Sequence, residues 1–231
     1  MRRYRLLLVA LFGCLAVKGM SAEPALASAE TLAPFFTPAT TARKTPDADG
    51  FLNRWLLLEP IAKPNRSNTG FTGTYVTKAL TTQYFPGQFG APPKNGQVVV
   101  ANGTHLQWHA LDSNLFDVKL FNFAQALGKP TYGVIFWAVT IVNSPRDIPN
   151  VRLAVGSNSA SMWWVNSKQE AGLFGDRRMV MDDVVSQPLM LHKGKNIVRG
   201  AVINGPGLSD FCVRFIDANG QPVRDITLTS S

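Results

Sequence analysis

Cysteine and charged residues are scarce in this sequence, and each shortage excludes something. The chain has 231 residues, of which 16% are charged and 45% are hydrophobic, a composition that suits one globular domain with an ordinary core. Its two cysteines are Cys14 and Cys212. Cys14 lies in a predicted leader, so no intramolecular disulfide is expected after processing. Cys212 lies in an apolar alternation, which favours a small buried hydrophobe over a reactive thiol.

Clusters of basic residues are also lacking, although the formal net charge is +8. A leader that ends at Ala27 holds four basic residues and one acidic residue, so its removal lowers the net charge to +5. The remaining basic residues are scattered, and their longest run is Arg177-Arg178. Because nucleic-acid binding favours a clustered basic stripe, no nucleic-acid partner is expected. A mildly basic exported protein remains compatible with anionic polysaccharide.

The N-terminus has the pattern of a signal peptide. It begins with three arginines, Arg2, Arg3 and Arg5. The apolar stretch that follows, residues 6–17, is too short for a comfortable membrane span, so none is expected. Small residues favour cleavage after Ala27, with Ala22 as the competing position. We therefore expect a signal peptide over residues 1–27 and a secreted or periplasmic protein; a lipoprotein anchored at Cys14 is the alternative.

Signals of catalysis are weak. The nucleophile motif G-x-S-x-G of α/β-hydrolases does not occur, and residues 156–160 come nearest but have the wrong spacing. His105 and His109 would lie about 13 Å apart on a strand, too far for easy chelation of a metal. Asp182 and Asp183 would face opposite sides of a strand, so they would not flank one glycosidic bond. A triad assembled in space stays open. No cofactor is expected, and a structural calcium near the two aspartates stays open.

What the sequence does contain is a series of short strand patterns. Apolar alternation, β-branched residues and close turn signals predict eight or nine strands. They fall at residues 51–61, 98–100, 104–112, 132–143, 151–168, 186–205 and 210–223. A hairpin is predicted at Asn102-Gly103, and residues 75–85 fit a short helix or an irregular segment. Residues 114–130 fit a strand that leads into a short helix. This pattern predicts an all-β sandwich.

The domain is expected to begin at Phe51 and to include residues 51–231. Residues 28–50 are rich in Ser, Ala, Thr and Pro, which predicts a linker or an extended N-terminal arm. Phe35 and Phe36 are expected to pin this arm to the domain surface. Neither an internal repeat nor a second domain is evident.

The C-terminal half resembles a known family. The runs that carry the resemblance are YGVIFWAVTIVN, SMWWVNSK, LHKGKNIVRG and DFCVRFIDANGQPV. They resemble a galactose-binding-domain-like jelly roll, and with the opening FLNRWLLLEPI they are most similar to the N-terminal accessory domain of bacterial acetylxylan or feruloyl esterases. The resemblance covers roughly residues 51–223. Two departures matter: the family's Asn-Gly turn is Asn166-Ser167 here, and no α/β-hydrolase domain follows. The resemblance thus implies an accessory module without the esterase activity.

Residues 151–166 are the centre of the predicted site. They are interpreted as two strands of a hairpin around a polar loop, residues 156–161. Trp163 and Trp164 must face opposite sides of the second strand. Trp164 matches the family's strand tryptophan and is expected in the core, whereas Trp163 is the candidate platform for the apolar face of a sugar ring. Polar contacts are expected from Ser157, Asn158, Ser159, Arg177, Arg178, Asp182 and Asp183.

The predicted function is therefore that of an exported, non-catalytic accessory module that binds carbohydrate. The resemblance implies plant cell-wall polysaccharide of the xylan type as the ligand and a separately encoded hydrolase as a partner. Two alternatives stay open. The first is a structural or protein-docking sandwich without sugar affinity, and the second is a hydrolase related to acetylxylan or feruloyl esterases.

Overall fold

The computed structural model describes residues 29–64, 71–175, 177–205 and 207–231, so the predicted signal peptide lies outside the described residues. The helices are α1 (Ala29–Leu32), α2 (Gly73–Thr81) and α3 (Leu120–Ala126). The strands are β1 (Phe36–Pro38), β2 (Arg54–Leu58), β3 (Ile61–Ala62), β4 (Val98–Ala101), β5 (Thr104–Ser113), β6 (Val134–Ser144), β7 (Ile148–Ser157), β8 (Ala160–Val165), β9 (Lys168–Leu173), β10 (Val184–Val185), β11 (Leu189–Leu191), β12 (Gly194–Asn204), β13 (Phe211–Ile216) and β14 (Thr227–Thr229). No helix in this part of the chain is both long and apolar enough to cross a bilayer.

The strands form two antiparallel sheets. The large sheet has the order β1-β5-β2-β6-β12-β8-β9, and β4 pairs with β5 while β3 and β14 pair with β6. In the small sheet β7 is central, with β13 on one side and with β10 and β11 on the other. The predicted all-β class is therefore confirmed.

Apolar side chains cover both faces of the large sheet. One cluster fills the space between the two sheets and includes Trp55, Trp163 and Phe211. A second cluster lies on the outer face, beneath α2 and the loop that follows it, and includes Trp137 and Trp164. Every residue of β6 except the half-buried Asn143 is buried, which agrees with the prediction of a strand covered on both faces.

The connection between β7 and β8 corrects the predicted hairpin. Among the described strands, β7 pairs only with those of the small sheet, whereas β8 pairs with β12 and β9 of the large sheet. The polar loop at residues 156–161 therefore carries the chain from one sheet to the other. Apolar alternation with a polar loop is the same for a hairpin and for a sheet crossing, because alternation defines faces and not partners.

The large sheet contains two tight hairpins. Asn102 and Gly103 have φ values of 50° and 76°, and they join β4 to β5 as predicted. Asn166 and Ser167 have φ values of 49° and 71° and join β8 to β9. Positive φ at both central positions is typical of a type I′ turn, whose twist matches that of the paired strands. Ser167 adopts this conformation without the glycine that usually provides it.

The N-terminal arm is part of the sandwich. β1 pairs with β5, and Phe36 is 2% exposed within the cluster between the sheets. The arm thus adds a strand and a core side chain, and the described fold begins before Phe51. Residues 75–85 were predicted as a short helix or an irregular segment, and both are present: residues 75–81 belong to α2 and residues 82–85 are irregular. The strand expected at the start of residues 114–130 is absent from the described fold, where Val118 forms an isolated bridge ahead of α3.

Gly200 on β12 should be essential for stability. A Cβ atom at this position would lie 2.2 Å from the ring of Trp163, which is fixed between the sheets. We expect Gly200→Ala to lower the free energy of unfolding by about 2–3 kcal/mol through overpacking, measured by guanidinium denaturation. Gly73→Ala is the control, because no atom lies within 4 Å of its added Cβ. Equal stability of the Gly200 variant and the wild type would contradict this packing.

Cys212 should be inert in the folded protein. It is 1% exposed, and burial raises the pKa of its thiol to about 12. At pH 8 the thiolate fraction is then about one in ten thousand. In the full chain carrying Cys14→Ser, we expect Ellman's reagent to react with one thiol in guanidinium and with none under native conditions. Reaction of the native protein within minutes would show that this strand opens.

Candidate functional site

The structure corrects the predicted aromatic platform. Trp163 is 0% exposed, and its ring centroid lies 6.0 Å from that of Trp55 and 4.9 Å from that of Phe211. Its Nε1 donates to Ser161 Oγ at 3.0 Å. A sugar cannot stack on a side chain in this position, so the assignment of Trp163 as a platform is wrong. The prediction that the two adjacent tryptophans face opposite sides is confirmed.

Trp164 is buried, as expected, but on the outer face of the large sheet. It is 6% exposed and stacks on Trp137 with a centroid distance of 5.7 Å and an interplanar angle of 20°. Phe89, from the loop after α2, packs edge-on against both rings at 5.4 and 5.7 Å. The platform prediction failed because both faces of this sheet are covered, so neither tryptophan is left at the surface.

Two of the predicted polar contacts are also buried. Ser157 and Ser159 are 0% and 1% exposed. The Ser157 hydroxyl donates to the Ser159 carbonyl at 2.7 Å, and the Ser159 hydroxyl donates to the Ile203 carbonyl at 2.6 Å. These bonds hold the connection between the two sheets, so the role of both serines is structural and not ligand contact. Asn158 is half-buried, and its role as a ligand contact stays a prediction.

The predicted arginines and aspartates lie near one another, at the end of the sandwich where β7 connects to β8. Arg177 pairs with Asp183, and Asp182 accepts from Arg214 Nε at 3.0 Å. Arg178 is exposed. Partly exposed ion pairs of this kind contribute about 0–1 kcal/mol to stability, a small amount that does not exclude contact with a ligand. A ligand role for Arg177, Arg178, Asp182 and Asp183 stays a prediction.

The described residues offer no cluster of three His, Cys, Asp or Glu side chains that could hold a metal ion. His105 is exposed, whereas His109 is half-buried with its Nε2 3.5 Å from Glu59 Oε1. A structural calcium near Asp182 and Asp183 was left open by the sequence. Asp182 forms an ion pair with Arg214.

A cleft that the sequence did not indicate could hold a ligand. It has a volume of about 520 Å³ and lies on the outer face of the large sheet. Ala110 of β5, Ile141 of β6 and Ile197 of β12 form its floor. Its walls come from residues 39–41, 92–95 and 230–231, together with Lys195. We call this feature the outer-face cleft.

Local interactions fix the walls of the outer-face cleft. Asn95 Oδ1 accepts from the backbone N–H of Ala110 at 2.8 Å, which holds the loop against β5. Pro92 and Pro93 restrict the backbone of the same loop. The floor residue Ile197 receives support from Asn166, whose Oδ1 accepts from the Ile197 N–H at 2.9 Å. The cleft is thus preformed, but it draws on segments more than 150 residues apart.

A smaller cavity of about 230 Å³ lies on the other side of Pro92 and Pro93. Trp108 and Val139 line it, together with the loop after α2. Trp108 is 3% exposed, and its Nε1 has no acceptor within the described part of the chain. The loop therefore separates two cavities on one face of the sheet.

No protein-family model matches the chain, and no curated protein matches it. Among solved structures, the chain is similar to a PA14 sugar-binding domain from an RTX adhesin, with a TM-score of 0.41 and 14% identity over 76% of this chain and 96% of that one. It is also similar to the PA14 domain of the antifreeze protein MpAFP, with a TM-score of 0.37 and 8% identity over 84% of this chain and 96% of that one. Likenesses at this level assign no ligand to this chain.

Proposed function

We propose that this protein is an exported, non-catalytic module that binds carbohydrate in the outer-face cleft. The observation that carries the proposal is the cleft itself, a preformed concavity of about 520 Å³. Binding sites for small molecules fall in the range of about 300–1,000 Å³ and combine an apolar lining with a few polar groups.

The chemistry of the cleft suits a sugar ring. The aliphatic floor of Ala110, Ile141 and Ile197 can cover the apolar C–H face of a pyranose. Thr40, Thr41 and Asn95 lie along the walls, where hydroxyl and amide groups can pair with sugar hydroxyls. This surface replaces the aromatic platform expected at Trp163.

The finer parts of the proposal rest on the sequence. The resemblance of residues 51–223 to esterase accessory domains supports a galactose-binding-like jelly roll and a ligand of the xylan type. Two antiparallel sheets joined by crossing connections are compatible with a jelly roll. The leader pattern of residues 1–27 supports secretion or a periplasmic location. A separately encoded hydrolase is the partner that such a module would direct to its substrate.

A docking module is the second candidate, because four large apolar side chains between Phe174 and Val185 are exposed. Phe174, Val180, Met181 and Val185 are 43%, 54%, 55% and 39% exposed. Exposed apolar residues that group together favour protein contact. This candidate requires no sugar affinity, which separates it from the proposal.

Affinity electrophoresis of the full chain in gels that contain xylan, mannan, pectin or cellulose tests the proposed function. We expect retardation by at least one polysaccharide, with xylan the first choice. Ile197→Gln should weaken binding about tenfold, because it removes apolar floor area worth about 1.4 kcal/mol. Val100→Gln is the matched control, since Val100 is 48% exposed on β4 and lies outside the cleft.

The same gels locate the site. Asn158→Ala and Arg178→Ala change the end of the sandwich predicted from sequence and should leave the mobility as in the wild type. If these two variants abolish retardation while Ile197→Gln is retarded like the wild type, the sugar binds at the end of the sandwich predicted from sequence and not in the cleft. Unaltered mobility on all four polysaccharides would overturn the sugar proposal and favour the docking module.

A further inference from the structure

Strand β12 carries two basic side chains on one face, one on each side of Ile197. Lys195, Ile197 and Arg199 face the same side of the large sheet, because side chains alternate along a strand. Successive members of this set are about 7 Å apart. Lys195 and Ile197 line the outer-face cleft. Arg199 is the next outward residue, and it lies beneath the loop after α2.

Arg199 is a buried cation without a counter-ion among the described residues. It is 1% exposed, and its Nη2 donates to the Gly90 carbonyl, whereas its Nε has no acceptor in this part of the chain. Burial lowers the pKa of its guanidinium, and no carboxylate opposes that effect. A buried charge that lacks a partner costs several kcal/mol.

The other buried arginine of this face shows the contrast. Arg54 is 3% exposed, and it donates to both carboxylate oxygens of Asp112, at 2.7 and 2.9 Å. Lys44 adds a second cation to the same carboxylate at 3.4 Å. The fold therefore neutralises one buried guanidinium with its own aspartate and leaves the other, two strands away, with a backbone carbonyl.

Two further buried donors without acceptors among the described residues lie on the outer face of the large sheet. Trp108 Nε1 and Trp137 Nε1 are buried on the same face, and neither has a hydrogen-bond partner in the described chain. At the mouth of the cleft, Lys94 and Lys195 are exposed and belong to none of the ion pairs between described residues. No aspartate or glutamate side chain lines the cleft. The two exposed lysines thus make the mouth of the cleft positively charged, beside the hydroxyl and amide groups of its walls.

We propose that the outer-face cleft selects an acidic carbohydrate. Lys94 and Lys195 attract the carboxylate, and Arg199, which lies under the loop after α2 and outside the lining of the cleft, binds it once that loop moves. This inference rests on the proposed function and names the ligand class of the same site. A carboxylate accepts two parallel hydrogen bonds from a guanidinium and supplies the missing counter-charge. It replaces the Gly90 carbonyl, so the loop that carries Phe89 shifts on Trp137 and Trp164.

The test uses one oligosaccharide in two charge states. The probe is a xylo-oligosaccharide with one glucuronate branch, and its partner is the same compound with that carboxyl group methyl-esterified. By isothermal titration calorimetry of the full chain, we expect the acid to bind at least about tenfold more tightly than the ester, as for a charge-assisted hydrogen bond. The preference should fall in 0.5 M NaCl, because salt screens the lysines at the mouth.

Variants assign the preference to residues. Lys94→Met with Lys195→Met should reduce the ratio of acid to ester affinity severalfold, whereas Lys78→Met, an exposed lysine of α2 outside the cleft, should leave it unchanged. Arg199→Lys keeps the buried charge but loses the two-pronged geometry, so it should also lower the ratio. Tryptophan emission should shift with the acid and not with the ester, because Phe89 contacts two tryptophans.

The outcomes separate the two proposals. Equal affinity for acid and ester would overturn the acidic selectivity and leave the sugar-binding function standing. Absence of binding for both forms would overturn both proposals for this polysaccharide class. An acid preference that survives in the Arg199→Lys variant, without a change in emission, would show that the carboxylate does not reach Arg199.

Discussion

The contact between Trp163 and Gly200 is the constraint on which the rest of this sandwich depends. The missing side chain at position 200 lets an indole from the neighbouring strand lie flat across β12. From there the ring reaches Trp55 on the same sheet and Phe211 on the opposite one. Trp55 and Phe211 also contact each other at 5.0 Å. Three aromatic side chains thus fix the spacing of the two sheets without a disulfide.

This packing determines the outer face as well. With Trp163 directed between the sheets, Trp164 must face outward, because neighbouring residues of a strand point to opposite sides. An exposed pair of indoles, Trp164 and Trp137, would leave a large apolar surface in water. The loop after α2 covers them with Phe89, and the same loop continues through Pro92 and Pro93 to form a wall of the cleft. The candidate site is therefore a consequence of how the core is closed.

The sequence predicts the parts of this structure that depend on local patterns. Alternation gave the strands, Asn102-Gly103 gave a hairpin, and the adjacent tryptophans were placed on opposite faces. It did not predict which tryptophan lies between the sheets, because both faces of the large sheet are apolar and period two cannot rank them. It also misassigned the connection from β7 to β8, since pairing partners are distant in the chain.

The cleft was beyond sequence reasoning for the same physical reason. Ala110, Ile141 and Ile197 look like ordinary core residues of three strands, and only the register of the sheet brings them side by side. Their neighbour Arg199 is unusual in the sequence, because an arginine within the apolar run of β12 needs either a counter-charge or contact with water. The sequence alone did not show which of the two Arg199 would have, and no motif indicated a role for this residue.

Arg199 also bears on whether the outer face is only structural. Replacing buried ionic groups by hydrophobic ones of similar size is often neutral or stabilising, so packing alone does not call for an arginine at this position. In the proposed complex, the carboxylate of the ligand offsets the cost of the unpaired guanidinium. Arg199 therefore lowers the stability of the unliganded outer face and, in the proposal, makes that face selective for an anion. The loop that covers the outer core thus also determines which ligand binds.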